Sequence, residues 1–525
     1  MSLLSIEGLT VSYGGEPAVR GLSLSVEPGE IVALVGESGS GKSTVAFAAM
    51  GLLPKSAATS GVVTVARQEL GALAPRDLDR LRGRTVSMIF QEPLSALNPA
   101  MRIGAQVAEA IRLHARVSRR EADARAGELL ARVGLPAEVA PPSRYPHALS
   151  GGQRQRVAIA IAIAAEPSLL IADEPTTALD VTTQAHVLAL LRRLVAEDGM
   201  GLLLVSHDLA VVADMADRIL VMKDGALVEE GAPAGLLASP REAYTRTLVA
   251  SARHAPVRTA PREGAPLLEV WGITRRHGAL LAVDDASFTV GRGETVGLVG
   301  ESGSGKTTLL RTILALDPPQ GGDVLLGGES IVRARGAELR RLRRNVQAVF
   351  QDPGGSLDPR WRVEHIVAEP LHLLDGRIDG PERRRRVEQA LEQVGLSAAD
   401  ADRFPHQFSG GQRQRVAIAR ALIVEPALVV LDEAVSALDV SVRARILDLL
   451  ADLSGRLGLS YLFVSHDLAM MRHVADRLVV LRQGRIVEQG RTADILARPT
   501  HAYTAELLAA TPDLDAALKR RAAQA

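Results

Sequence analysis

The chain has no cysteine. Disulfides, thiolate metal sites and iron–sulfur clusters are therefore excluded, and nothing argues for an oxidising compartment. An excess of one charge is also missing. Lys and Arg number 61, Asp and Glu number 61, and the formal net charge is zero. That balance argues against a dedicated nucleic-acid binder. Long apolar runs are absent too. The longest, Val45–Leu53 and Val157–Ala165, hold nine residues each, whereas a membrane-spanning helix needs roughly 20. The opening MSLLSIEGLTVSYGGE has neither a basic start nor an apolar core of signal length. These readings predict a soluble, cytoplasmic protein whose membrane contact, if it has one, comes through a partner. Aromatics make up only 3%, so the core must be built from Leu, Val, Ile and Ala. A chain of 525 residues has room for two to four domains.

What the chain does hold is a phosphate-binding loop, spelled almost identically twice. GESGSGKST spans Gly36–Thr44 and GESGSGKTT spans Gly300–Thr308, and each follows a short apolar run. Gly36, Gly39 and Gly41, like Gly300, Gly303 and Gly305, carry no Cβ, so backbone N–H groups can turn inward around phosphate oxygens. Ser38, Ser40 and Thr44, and Ser302, Ser304 and Thr308, complete the two loops. The helix that follows points its positive end at the same anion. Lys42 and Lys306 would reach the β- and γ-phosphates, and Ser43 and Thr307 would place a hydroxyl on Mg²⁺.

Other motifs repeat as well. The P-loops are offset by 264 residues, Gln91 and Gln351 by 260, and SGGQRQRVAIA (Ser150–Ala160; Ser409–Ala419) by 259. Asp173 and Asp432, Asp180 and Asp439, and His207 and His466 keep the offset of 259. A period this long is a duplicated domain rather than a solenoid. The expected boundaries are a first domain at 1–253, a Pro- and Arg-rich linker at 254–266 and a second domain at 267–525. Each half opens with alternating segments such as Leu22–Val26, which predict an antiparallel sheet. Strand, P-loop and helix come next, then a helical region. Ser118-Arg-Arg-Glu121 reads there as a capping box. Asp379-Gly-Pro-Glu382 marks the matching helix, with Val387, Leu391 and Val394 on one face. Buried strands then return at Leu169–Ala172 and Leu202–Val205. Alternating strands and helices around a P-loop predict a parallel α/β sheet.

Asp173-Glu174 and Asp432-Glu433 each end an apolar strand. The first carboxylate of each pair would hold Mg²⁺, and the second would polarise an attacking water. His207 and His466 follow strands as Ser-His-Asp; at a sheet's carboxyl edge such an imidazole can bond a γ-phosphate or that water. One such His alone would read as structural, but its repetition at the same offset favours a functional one. Adjacent Ser-His-Asp cannot form a hydrolase triad. Ser150, Gly151, Gly152 and Gln153, and Ser409, Gly410, Gly411 and Gln412, open apolar helices and offer a second anion site per half. If the halves meet head to tail, each of these turns closes over the triphosphate held by the other half's P-loop.

Taken together, P-loop, Gln, SGGQ, Asp-Glu, Ala-Leu-Asp and His resemble the nucleotide-binding domain of ABC transporters, twice over. The resemblance implies an α/β fold of two tandem P-loop NTPase domains. Each would have a RecA-like parallel-sheet core, an antiparallel β subdomain and a helical subdomain. It implies that ATP and Mg²⁺ bind, that Gln91 and Gln351 sense Mg²⁺ and the permease, that Asp180 and Asp439 cross the dimer interface, and that Glu174 and Glu433 are catalytic bases. It also implies that Tyr13, 23 residues before Gly36, stacks on adenine; His277 holds the matching place before Gly300. FQEPLSALNP (Phe90–Pro99), FQDPGGSLDP (Phe350–Pro359), AYTRTL (Ala243–Leu248) and AYTAEL (Ala502–Leu507) resemble the peptide/nickel importer ATPases. Ile161 stands where the other half has Arg420.

The implied function is ATP hydrolysis, at the cytoplasmic face of the inner membrane, that energises dipeptide or oligopeptide uptake. The partners would be two integral permease subunits and, through them, an extracellular solute-binding protein, with the two halves forming a pseudo-dimer and no nucleic acid involved. Nickel chelates, glutathione and opines are alternative cargoes. A translation factor of the ABC type is the rival class, though it calls for a long, basic, helical linker. A nucleotide sensor without turnover is a third. The basic runs Arg340–Arg344 and Arg383–Arg386 read first as solvated faces, with anionic headgroups as the alternative.

Overall fold

The computed structural model describes residues 2–91, 96–177, 179–258, 260, 264–351, 353–376, 378–436 and 438–524. Parts of four of the motif runs (residues 92–95, 178, 352 and 437) and part of the linker (259, 261–263) lie outside the described residues.

Each half is built on a six-stranded sheet. In the first half the order is Ala226–Gly231, Arg218–Lys223, Ile31–Val35, Gly201–Ser206, Leu169–Asp173, Val86–Ile89. All neighbours are parallel except the outermost pair, Ala226–Gly231 with Arg218–Lys223. The second half repeats this order with Arg485–Arg491, Arg477–Arg482, Thr295–Val299, Ser460–Ser465, Leu428–Asp432 and Val346–Val349. The inner strands are wholly buried and apolar but for Thr295 at one start and Asp173 and Asp432 at two ends. That is what a parallel sheet covered on both faces demands. A four-stranded antiparallel sheet flanks each core: Glu16–Val26, Leu4–Tyr13, Ala57–Val65, Gln68–Glu69, and its counterpart from Leu268 to Ser330.

The order of strands locates the chemistry. The strand leading into the P-loop lies beside the one ending at Ser206, which lies beside the one ending at Asp173. Three motif-bearing loops therefore leave the same carboxyl edge of one sheet.

Ten helices matter below: α1 (Lys42–Ala49), α2 (Gly151–Ala162), α3 (Val181–Asp198), α4 (Leu209–Met215), α5 (Ala243–Ala252), α6 (Lys306–Ile313), α7 (Gly410–Leu422), α8 (Val440–Leu457), α9 (Ala502–Ala510) and α10 (Leu514–Gln524). Three of them reach across between the halves. α5 packs on α8, α9 on α3, and α10 on α4. The last pairing has no reciprocal, because among the described residues the first half carries no helix equivalent to α10. Leu514 and Ala517 of α10 are buried in the first half's core. Arg520 and Arg521 bond Asp214 and the carbonyl of Ala213 there. The stretch after α5 is pinned to the second half by His254–Asp448 (2.6 Å) and Arg258–Asp476 (2.5 Å).

Ser118 caps its helix by accepting from Glu121 N (3.2 Å), but the box is only half made, because Glu121 pairs with Arg125 instead (2.9 Å). Asp379 caps the matching helix, and Val387, Leu391 and Val394 are all buried. Among the described residues no helix is long and apolar enough to cross a membrane.

Candidate functional site

Each P-loop is a turn that only glycine can make. Gly41 has φ 96°, and a Cβ there would meet Ala18 O at 2.4 Å; Gly305 has φ 106° and would meet Ala282 O at 2.4 Å. The lysines that follow fold back into the loop. Lys42 Nζ donates to Gly36 O and Glu37 O (both 2.8 Å) and to Ser40 Oγ (3.3 Å). Lys306 Nζ donates to Gly300 O and Glu301 O (both 2.7 Å). Burial lowers the pKa of both amines, against the pull of the carboxylates around them. A buried cation satisfied by carbonyls is ready to exchange them for phosphate oxygens.

The carboxylates meet the loops at the sheet edge. Asp173 hydrogen-bonds Ser43, and its Oδ1 is buried without a partner. Burial raises the pKa of Asp173, and that of Asp432 is pushed up to about 6 by burial and then by the neighbouring Glu433 charge. Glu174 and Glu433 sit in left-handed backbone, φ 48° and 47°. That conformation is strained for a non-glycine residue, and it is held identically in both halves. Gln91 Nε2 donates to Glu174 Oε2 (2.8 Å) and Gln351 Nε2 to Glu433 Oε2 (2.7 Å). His207 Nδ1 lies 3.0 Å from Glu174 Oε1, and His466 Nδ1 lies 3.2 Å from Glu433 Oε1. Burial opposes ionisation of Glu174, but His207, Thr177 and Lys42 outweigh it and hold the carboxyl at about 2. Glu433 is lowered in the same sense.

The halves complete each other. Ser38 N donates to Asp439 Oδ1 across the interface (2.9 Å), and Ser441 Oγ bonds the Glu37 carboxylate. At the other site Thr182 Oγ1 reaches Glu301 Oε1 (2.5 Å), and Asp180, which caps α3, places its charge near Lys306. A cavity of about 990 Å³ opens between the halves. Glu37–Gly39, Glu174 and His207 line it from one side, and Ser409–Gly411, Asp439 and His466 from the other. The SGGQ turns carry full capping boxes. Ser150 and Gln153, and Ser409 and Gln412, bond each other's backbone N–H reciprocally.

The ABC transporter family profile matches residues 19–177 and 283–436. The profile for the oligopeptide/dipeptide transporter C-terminal region matches residues 487–525. The glutathione import ATP-binding protein GsiA of Salmonella choleraesuis is 43% identical, over 98% of this chain and 90% of its own length. Its namesake from Escherichia coli O6:H1 is 42% identical, over 97% and 89%. The chain belongs to the ABC transporter ATP-binding family, in its peptide-importer branch. It carries two ABC cassettes in one polypeptide. Among solved structures, cbiO1 from Clostridium perfringens, part of an ABC transporter complex, aligns at 28% identity over 45% of this chain and 92% of its own, with TM-score 0.41.

The two cassettes are not copies. Tyr13 ends the strand Leu4–Tyr13, half-buried; His277 ends the matching strand, exposed. Thr177 Oγ1 donates to Glu174 Oε2 (3.0 Å), whereas Ser436 turns to the carbonyl of Glu433 (2.9 Å). Arg420 donates to Ser356 O (2.8 Å), while Ile161 lines an apolar cavity of about 200 Å³ with Phe90 and Leu113. Sequence reasoning missed Glu37, Glu301, Thr182, Ser441, Tyr244 and Tyr503. Their one available signal was recurrence at matched positions in the two halves.

Proposed function

We propose that this chain powers a bacterial importer by clamping two ATP molecules between its cassettes, and that its cargo is glutathione or a short peptide. ABC cassettes bind ATP with Mg²⁺ and hydrolyse it. The observation that carries the clamp is the cross-half bond from Ser38 N to Asp439, with Ser409–Gly411 lining the same cavity as Glu37–Gly39. Lys42 and Lys306 hold the β- and γ-phosphates once they leave their carbonyls. Glu174 and Glu433 take a proton from the attacking water, His207 and His466 orient that base, and the far SGGQ turn donates N–H groups to the γ-phosphate.

The oxygen donors Ser43, Asp173 and Gln91, with one carboxylate oxygen of Asp173 left unpaired, suit a hard cation. Thr307, Asp432 and Gln351 are the matching set. Mg²⁺ would neutralise phosphate charge there, and among the described residues no cluster of three acidic or His side chains competes for it.

The cargo follows from the relatives' names and from the C-terminal match to oligopeptide/dipeptide transporters. That match also favours a permease pair over the ribosome as the partner, with the chain held at the cytoplasmic face of the membrane. Co-purification of two integral membrane proteins supports this reading; co-purification of ribosomes sinks it. Both cassettes keep Lys, Glu and His in the same geometry, so both are expected to turn over. Glu174→Gln and Glu433→Gln, assayed separately for phosphate release, should each lower kcat, and the double variant should abolish it. If one single change removes all turnover while the other leaves it intact, the equivalence is wrong.

A further inference from the structure

The Ala-Tyr-Thr runs open α5 and α9, and the phosphate chemistry above makes no use of them. Their tyrosines nevertheless end on the P-loops. Glu37 N donates to Tyr244 Oη (3.2 Å), and Glu301 N donates to Tyr503 Oη (3.0 Å). Both rings are held from above. Lys223 Nζ lies 5.1 Å from the Tyr244 ring centroid, and Arg482 Cζ lies 4.7 Å from that of Tyr503. The turns that launch the two helices are fixed as well. Glu229 accepts from Arg241 N and Glu242 N, and Glu488 accepts from Thr500 N and His501 N. Burial pushes both phenols up to about 12, so each keeps its proton at working pH while its oxygen accepts from the loop.

The bonded peptide is a strategic one. Glu37, whose N–H the phenol holds, offers its own carbonyl to Lys42, and Glu301 does the same for Lys306. The next N–H along, that of Ser38, is taken by Asp439 of the far half. Asp439 is the N-cap of α8, and α8 is the helix on which α5 rests. The relation recurs in the other direction: α9, which carries Tyr503, rests on α3, whose N-cap is Asp180.

We propose that Tyr244 and Tyr503 are positioning residues that set the P-loop, and through it Lys42 and Lys306, according to whether the two halves are engaged. This builds on the ATP-hydrolysis reading above. When the halves part, α5 loses its seat on α8 as Ser38 loses Asp439, so the P-loop is released from two sides together. When they close, the phenol and the far carboxylate restore adjacent peptide groups of one loop.

The test uses the full chain with Tyr244→Phe, which keeps the ring and removes only the acceptor. Without nucleotide, amide exchange across residues 36–41 should quicken by about three- to tenfold, while 300–305 stays unchanged. In the ATPase assay, run in a Glu433→Gln background so that the first site alone turns over, kcat should fall about three- to tenfold with KM moved less than about twofold, and with the melting temperature unchanged. Combined with Asp439→Asn, the losses should be smaller than the product of the single losses; combined with Asp180→Asn, they should multiply. Unchanged exchange, unchanged kcat, a parallel fall in kcat, KM and melting temperature, or multiplicative losses with Asp439→Asn overturns the proposal. Absence of phosphate release by the wild-type chain counts against the hydrolysis reading alone, because the exchange measurement still decides the role of the tyrosine.

Discussion

At the edge of the first sheet, an imidazole and a carboxylate hold each other's charge. Burial works against ionisation of both Glu174 and His207, yet their contact lowers the carboxyl to about 2 and raises the imidazole above its usual 6.5. Stability is therefore linked to pH from two ends. The carboxylate's contribution is full above its usual 4.5 and is lost as pH falls towards about 2. The imidazole's contribution is full below 6.5 and is lost as pH rises through its raised folded value. The melting-temperature gap between wild type and His207→Gln should thus be wider at about pH 5.5 than at about pH 8.5. An equal gap would mean that His207 is neutral in the folded chain. The pairing of these two residues was only half legible. Sequence offsets singled out both, but the distance between them comes from strand order, which no local pattern encodes. Tyr244 was visible only as part of the run AYTRTL, and its contact with Glu37 N joins residues 207 apart, which no local pattern encodes. Glu37 stood inside a loop already explained by its glycines.

At the scale of elements, the two glycines of each SGGQ turn do different jobs. A Cβ on Gly410 meets nothing within 4 Å, and the residue faces the cavity between the halves. A Cβ on Gly411 would lie 2.5 Å from Val442 Cγ1 on α8, and one on Gly152 would lie 2.1 Å from Thr183 Cγ2 on α3. Gly411→Ala should therefore cost about 1–3 kcal/mol of stability, read from chemical denaturation. Gly410→Ala should leave stability intact and, in a Glu433→Gln background where the first site alone turns over, still lower ATP turnover by about tenfold, because the added methyl intrudes where the γ-phosphate is expected. If turnover is unaffected by Gly410→Ala, the turn does not close on nucleotide. Helix starts were the most readable elements, since caps are local: Asp379 and Ser118 both cap the helices they were expected to open, though the Ser118 box is only half made. The basic runs were readable only as composition. Arg384 is occupied by Glu364, Glu388 and Asp402, Arg385 and Arg386 by Glu382, and Arg341 by Glu329. Charges spent within the chain leave little for a membrane surface.

At the scale of the whole molecule, the duplication is closed by a part that is not duplicated. α10 sets Leu514 and Ala517 into the first half's core, and Arg253 of the first half reaches Asp515 in return. A chain ending at Pro512 should melt roughly 2–5 °C lower and show a larger radius of gyration without nucleotide. If neither changes, α10 is an ornament rather than a clasp. The tandem order was plain in the sequence because motifs repeat at fixed offsets. The clasp was not, because a feature present once leaves no offset to find.

The seat of α10 on α4 also imposes an order of events during synthesis. The first cassette leaves the ribosome with that apolar seat bare, and it stays bare until the whole second cassette has been made. An isolated first cassette would carry the same uncovered patch for good, which is a physical reason for the two to be inherited as one gene.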